Sequence, residues 1–65
     1  MEKLNNLAPI FRQVALLLAS YARIEGMKAL NTHRRRQGYS DAYGEEEFNK
    51  EADLVNEIAE KLATM

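Results

Sequence analysis

The charged residues of this chain are sorted by half, and this sorting limits how the chain can fold. Residues 1–38 carry seven Lys and Arg against two Glu, whereas residues 39–65 carry eight Asp and Glu against two Lys. A basic half and an acidic half attract each other, which favours folding one onto the other. The segment 38–44 between them contains Gly, Tyr, Ser and Asp, as turns often do. The pattern therefore predicts two complementary helices joined by a turn.

The first predicted helix covers about residues 6–36. Pro9 fits its first turn, where backbone donors are free, and Asn5 or Asn6 would cap it. Arg residues occupy its last turn, and Gly38 is expected to end it as a left-handed C-cap. Its apolar residues recur in alternating steps of three and four, which predicts one buried helical stripe: Leu7, Ile10, Val14, Leu17, Tyr21 and Ile24.

The second predicted helix covers about residues 45–63, after a turn over about residues 37–44. Its first turn is acidic, as the helix dipole favours, and its N-cap is Ser40, Asp41 or Gly44. Two oriented ion pairs are expected on its outer face, Glu46–Lys50 and Glu57–Lys61. Its inner stripe is predicted to contain Phe48, Ala52, Val55, Ala59 and Leu62, widened by Leu54, Ile58 and Met65.

The first helix has more apolar surface than the second can cover. Residues 14–19 are apolar all round, and such a helix must be buried nearly all round. The chain has no Cys and one His, so disulfides and His-based metal sites do not offer the extra stability that small domains need. We therefore predict an all-α fold in one domain, 1–65: a two-helix antiparallel hairpin that assembles into a homo-oligomeric helical bundle. Two hairpins in a four-helix bundle are the simplest form.

The sequence also predicts where the protein works. Its longest nearly apolar stretch, residues 14–22, is shorter than the roughly 20 residues that cross a bilayer. The N-terminal residues do not form the basic and apolar regions of a secretory signal. Absence of Cys fits a reducing compartment. We expect a cytoplasmic protein without a membrane partner.

The basic end of the first helix, residues 33–36, has two interpretations. It is either an anion site for phosphate, nucleotide or nucleic acid, or a helix terminus neutralised by cations that pair with Glu45–Glu47 across the hairpin. The second is favoured. The acidic half would repel duplex DNA, which makes nucleic acid the weaker of the possible partners.

Other residues also have a structural and a functional interpretation. Lys28 and Asn31 interrupt the apolar stripe, so they either fix the register of the helices or line a polar pocket. Gly26 allows either a close approach of two helices, which we favour, or room for a ligand. Loop tyrosines either stack on a base or fold over the end of the hairpin. The candidate ligand-binding residues are Arg23, Asn31, Arg34, Arg35, Tyr39 and Tyr43.

Catalysis is not expected. His33 stands beside arginines and has no Ser or Cys nucleophile partner in the sequence. The adjacent carboxylates of Glu45–Glu47 splay apart on a helix, which disfavours a cation site. No Gly-rich phosphate loop or hydrolase motif occurs. The sequence predicts a protein that is not an enzyme and has no cofactor or metal.

Residues 22–31, Gly38 and residues 42–48 resemble short helical accessory proteins encoded by bacteriophages. This resemblance implies an oligomeric inhibitor of a host defence process, acting in the host cytoplasm. Some proteins of this kind sequester cyclic-nucleotide immune signals. The expected partners are a second copy of the chain and either a small anionic nucleotide or a host protein. The alternatives are a nucleic-acid-binding regulator that uses the basic end of the first helix, and a purely structural assembly protein.

Overall fold

The computed structural model describes the backbone of residues 2–65 and the side chains from residue 7 onward. This part of the chain contains two helices, α1 (Glu2–Arg36) and α2 (Glu45–Ala63), and no strand. The predicted all-helical, two-helix fold is confirmed. α1 begins before the predicted residue 6, so Pro9 lies inside the helix and not in its first turn. The expected capping by Asn5 or Asn6 concerns side chains outside the described ones.

The turn closes through backbone hydrogen bonds around Gly38. Gly38 has a φ of 81°, the left-handed conformation predicted for the C-cap. The Tyr39 N–H donates to the Arg34 carbonyl oxygen at 2.9 Å, and the Gly38 N–H donates to that of Arg35 at 3.0 Å. Gly44 is the N-cap of α2, and its N–H donates to the Glu47 carboxylate at 2.9 Å.

The two helices are antiparallel and meet along a heptad seam. Side-chain bonds join Ser20 to Glu51 near the middle of the hairpin and Asn31 to Tyr43 near the turn. Steps of three and four residues are typical of helices that coil around each other. The buried and half-buried residues of α1 are Ile10, Gln13, Leu17, Ser20, Ile24, Met27, Asn31 and Arg34; those of α2 are Phe48, Glu51, Leu54, Val55, Ile58 and Leu62. Glu46–Lys50 and Glu57–Lys61 form the predicted pairs at 3.9 Å.

The predicted apolar stripe of α1 is wrong for half of its members. Ile10, Leu17 and Ile24 face α2, whereas the other three are exposed: Leu7 by 39%, Val14 by 38% and Tyr21 by 62%. The physical reason is that Ser20 and Asn31 bind α2, which places α2 over the neighbouring stripe. In α2, Ala52, Ala59 and Met65 of the predicted stripe are also exposed.

The hairpin is a thin layer with little core. Its Cα atoms span 55 × 20 × 9 Å, and its radius of gyration is 16.0 Å, against about 11 Å for a compact domain of this length. Among the described side chains, Ile58 is the one fully buried hydrophobic residue. The accessible surface is 5319 Å², whereas a compact monomer of this mass exposes about 4,200 Å². A single hairpin therefore leaves an unusually large area in water.

α1 is also long and apolar enough between Leu7 and Arg36 to cross a membrane, by length and composition alone. Core helices of soluble proteins and N-terminal signal sequences meet the same criterion. The expected cytoplasmic location stays a prediction.

The two glycines at 26 and 38 should respond to alanine in opposite ways. Gly38→Ala forces a side chain into the left-handed region, so the free energy of unfolding should fall by about 1 kcal/mol. An added Cβ at Gly26 meets no atom within 4 Å, so Gly26→Ala should raise it by up to about 1 kcal/mol. Urea unfolding followed by circular dichroism measures both. Changes of the same sign would contradict either the left-handed conformation of Gly38 or the open space beside Gly26.

Candidate functional site

The arginines at the end of α1 are bound by the turn that follows them. The Arg35 Nε donates to the Asp41 Oδ1 at 2.6 Å, and a second bond joins the same two groups. The Arg34 Nε donates to the Ser40 carbonyl oxygen at 2.7 Å, and the guanidinium lies 5.6 Å from the centre of the Tyr39 ring. Of the basic residues 33–36, Arg35 is paired with the Asp41 carboxylate and Arg34 contacts neutral groups of the turn. The expected pairing with Glu45–Glu47 is wrong.

Electrostatics in the turn favour the charged forms of its groups. The hydrogen bond from Arg35 lowers the pKa of Asp41, and Asp41 in turn raises the pKa of Arg35. The N–H of Gly44 holds the pKa of Glu47 below its usual value. Arg35 and Asp41 thus match each other's charge, which reduces the pull of Arg35 on an added anion.

Asn31 joins α1 to the backbone before α2. It is 6% exposed, its Nδ2 donates to the Tyr43 carbonyl oxygen at 2.8 Å, and its Oδ1 accepts from the Tyr43 N–H at 3.0 Å. Both ends of the amide are therefore used within the chain, which fits a role in setting the register. Lys28 lies beside Glu25, with 3.2 Å between Nζ and Oε1.

Arg23, Ser20 and Glu51 form the second link between the helices. The Ser20 hydroxyl donates to the Glu51 Oε2 at 2.6 Å, while the Arg23 Nε donates to Oε1 at 2.8 Å. The Arg23 Nη2 adds a bond of 3.1 Å. These bonds, that from Arg23 first, lower the pKa of Glu51 and keep it ionised.

A cleft of about 440 Å³ lies on one broad side of the hairpin, which we call the charged side. Its polar lining includes Arg23, Glu47, Lys50 and Glu51. Gly26 also lines this cleft, and no atom lies within 4 Å of the place of its missing Cβ. The favoured explanation of Gly26, a close approach of α1 to another helix, is therefore wrong within the hairpin.

A second cleft, of about 240 Å³, lies on the opposite broad side, which we call the apolar side. Lys28, Thr32 and Arg35 of α1 line it together with Phe48 of α2, and Asn31 forms its floor. The two clefts share no lining residue. Side chains seven apart on a helix lie on one side, so the stripes that contain Lys28 and Thr32 run along this broad side toward the start of α1.

Large exposed apolar residues occupy those stripes. They are Leu7, Phe11, Val14, Leu18 and Tyr21, with exposed fractions between 38% and 63%. On α2, Ala52 and Ala59 continue the flank that begins with Phe48 and are exposed as well. Contiguous apolar surface of this kind typically marks an interaction site.

The six predicted site residues are divided among three places. Arg23 and Tyr43 line the cleft of the charged side, whereas Asn31 and Arg35 line that of the apolar side. Arg34 and Tyr39 stack in the turn. Within one chain the structure does not bring the six together around a single pocket. In the part of the chain that the structure describes, no group of three or more His, Cys, Asp or Glu could hold a metal ion.

Sequence reasoning missed the polar residues of the seam. Gln13 and Ser20 stand seven residues apart among the apolar residues of α1. This spacing was the signal that both lie on one face of α1 and pack against α2. Gln13 is 9% exposed, and its Oε1 has no hydrogen-bond partner among the described residues. Glu51, on the matching stripe of α2, holds Ser20 and Arg23.

Comparison with protein-family models, with curated proteins and with solved structures finds no match to this chain. Function therefore has to be inferred from the residues and their geometry.

Replacing Asn31 should weaken the hairpin near its turn. Asn31→Ala leaves the carbonyl and N–H of Tyr43 without their partners, so the free energy of unfolding should fall by about 1–3 kcal/mol. Thermal unfolding and hydrogen exchange of the Tyr43 amide would report it. Asn56→Ala, on the exposed face of α2, is the matched control and should change stability by less than about 0.5 kcal/mol. Equal effects of the two substitutions would refute the register role.

Glu51 should make the fold sensitive to acid. Its pKa lies below the ordinary value of 4.5, so its stabilisation is complete well above that pH and is lost as the pH falls through the folded-state pKa. We expect the melting temperature to fall steeply below about pH 4.5 in the native chain and less steeply in Glu51→Gln. Glu60→Gln, an exposed change on α2, should keep the native profile. Parallel acid profiles for Glu51→Gln and the native chain would exclude this role.

Proposed function

We propose that this protein is a non-catalytic helical binding protein whose copies form a homo-oligomer through the apolar side of the hairpin. One observation carries the proposal: α1 exposes a continuous apolar surface from Leu7 to Tyr21 although α2 is already packed on it. Such surface is unusual for a monomer and typical of an interface. The resemblance to phage-encoded proteins supplies the setting, in which the assembled oligomer inhibits a host process by binding a host protein.

The contacts of the arginines support protein binding over nucleotide binding. A site for phosphate needs guanidinium groups whose donors are available. Arg23 directs two of its N–H groups to Glu51 and Arg35 directs two to Asp41, so a nucleotide would have to compete with a carboxylate in each case.

Sequestration of a small anionic nucleotide is the second candidate. The observation that favours it is the cleft of the apolar side, where Lys28 and Arg35 lie beside the Phe48 ring. A phosphate could meet the two cations while a base contacts the ring.

The oligomeric part of the proposal predicts a clear effect of Leu18. Leu18 is 63% exposed, so Leu18→Asp should leave the hairpin helical and prevent association. Sedimentation at tens of micromolar should show a dimer or larger species for the native chain and a monomer for this variant. Lys61→Gln, on the opposite flank of α2, changes the net charge by the same amount as Leu18→Asp; it is the control and should associate normally. A folded native monomer under these conditions would rule out the proposal.

Calorimetric titration with cyclic di- and trinucleotides separates the two candidates. Protein binding predicts no heat with any of them. Heat that disappears in Lys28→Ala would replace the first candidate by the second. Flotation with vesicles of anionic lipid provides a third arm, because attachment of a monomer to lipid would assign the apolar side to a membrane.

A further inference from the structure

The apolar side carries large residues on one helix and small residues on the other. Val14 and Tyr21 of α1 stand seven apart, as do Ala59 and Ala52 of α2. The bonds between the helices set the register, which places Val14 level with Ala59 and Tyr21 level with Ala52. Large side chains that face small ones allow two layers to interdigitate.

The charges of the two helices limit which of them can meet in an assembly. Residues 7–36 of α1 carry six Lys and Arg against one Glu, whereas α2 carries seven Asp and Glu against two Lys. Packing α1 on a second α1 would place two basic helices side by side, and such like-charge contact is unfavourable. Packing α1 on the α2 of another copy joins opposite charges.

The exposed area matches what a dimer needs. The hairpin exposes about 1,100 Å² more than a compact monomer of its mass, the difference between 5319 Å² and the expected value. A standard protein interface removes about 800 Å² from each partner. One partner of the same size on the apolar side therefore accounts for most of the excess.

We propose that a second copy of the chain covers the apolar side, related by a two-fold axis parallel to the helices, so that α1 of each copy packs antiparallel on α2 of the other. This inference rests on the proposed function, because it names the partner of the same surface. Val14 and Tyr21 then lie over Ala59 and Ala52 of the other copy. Lys28 lies over Glu45, which stands seven residues before Ala52. The two-fold axis repeats each contact, which closes a four-helix bundle.

A shared cleft follows from this arrangement. An axis parallel to the helices puts both turns at the same end of the bundle. The Lys28, Thr32 and Arg35 cleft of one copy then adjoins that of the other. The cations of the two clefts are thereby brought to one end of the assembly.

Disulfide cross-linking tests the arrangement, because the chain has no Cys of its own. Val14→Cys carrying an affinity tag is mixed with untagged Ala59→Cys and oxidised, and products are separated by mass. A disulfide requires Cα atoms closer than about 7 Å. Because the arrangement places position 14 over position 59 of the other copy, we expect a mixed dimer of the two variants at least fivefold above the Val14→Cys homodimer. Val14→Cys mixed with Glu57→Cys is the control and should give little product, because positions 57 and 59 lie on opposite sides of α2.

The outcomes separate this inference from the proposed function. Efficient self-linking of Val14→Cys without the mixed product would show α1 on α1 and overturn the arrangement, while the chain remained an oligomer. Strong self-linking of Ala15→Cys would do the same through the row of Ala8, Ala15, Ala22 and Ala29. A monomer in sedimentation would overturn both proposals.

Charge reversal gives a second test that does not depend on oxidation. Lys28→Glu and Glu45→Lys should each raise the dimer dissociation constant by about tenfold, because the two-fold axis repeats the affected pair. The two substitutions together should restore it to within about threefold of the native value. Additive weakening in the double variant would overturn the Lys28–Glu45 contact and the register that predicts it.

Discussion

Hydrogen bonds across the polar seam determine which side of α1 is covered by α2. α1 is apolar on two neighbouring sides, and burial of apolar area alone does not distinguish strongly between them. The carboxylate of Glu51 needs Ser20 and Arg23, and the amide of Asn31 needs the backbone of Tyr43. A buried polar group left without its partner costs about 1–3 kcal/mol, so these groups select one side. The side of α1 that carries Leu7, Phe11 and Leu18 is not covered by α2 and stays exposed to water.

Hydrogen bonds within the chain also explain the role of the basic end of α1. Three arginines at a helix C-terminus look like an anion site in the sequence, but a short turn must also be held in one conformation. Arg35 on Asp41 and Arg34 on the Ser40 carbonyl hold it. Arg34 also lies against the Tyr39 ring. Arg34 and Arg35 therefore donate hydrogen bonds to the turn, and the exposed apolar surface remains as the better candidate for binding.

Periodicity and local chemistry made the helices predictable. They did not reveal which of two neighbouring stripes of α1 packs against α2. Gly38 needed a left-handed conformation, and the acidic first turn marked the start of α2 at Glu45. The stripe of α1 was misassigned because apolar counts favoured Val14 and Tyr21 over Gln13 and Ser20. The interaction that outweighed these apolar counts was the hydrogen bond from Ser20 to a carboxylate 31 residues away, which no local pattern in α1 reveals. The candidate site residues were identified by type, but their partners in the turn depend on the closed geometry.

A hairpin with one fully buried hydrophobic residue among those described has little to offset the entropy of ordering two helices. Isolated helices of this kind are marginal in water, and most helical stability comes from packing of an apolar face. The apolar side of α1 is a face still available for that packing. In the proposed dimer, folding and association would be parts of one equilibrium, in which the stability of the hairpin rises with protein concentration. In the proposed dimer, the polar seam fixes the shape of each hairpin layer, and packing of the second layer would supply most of the free energy of folding.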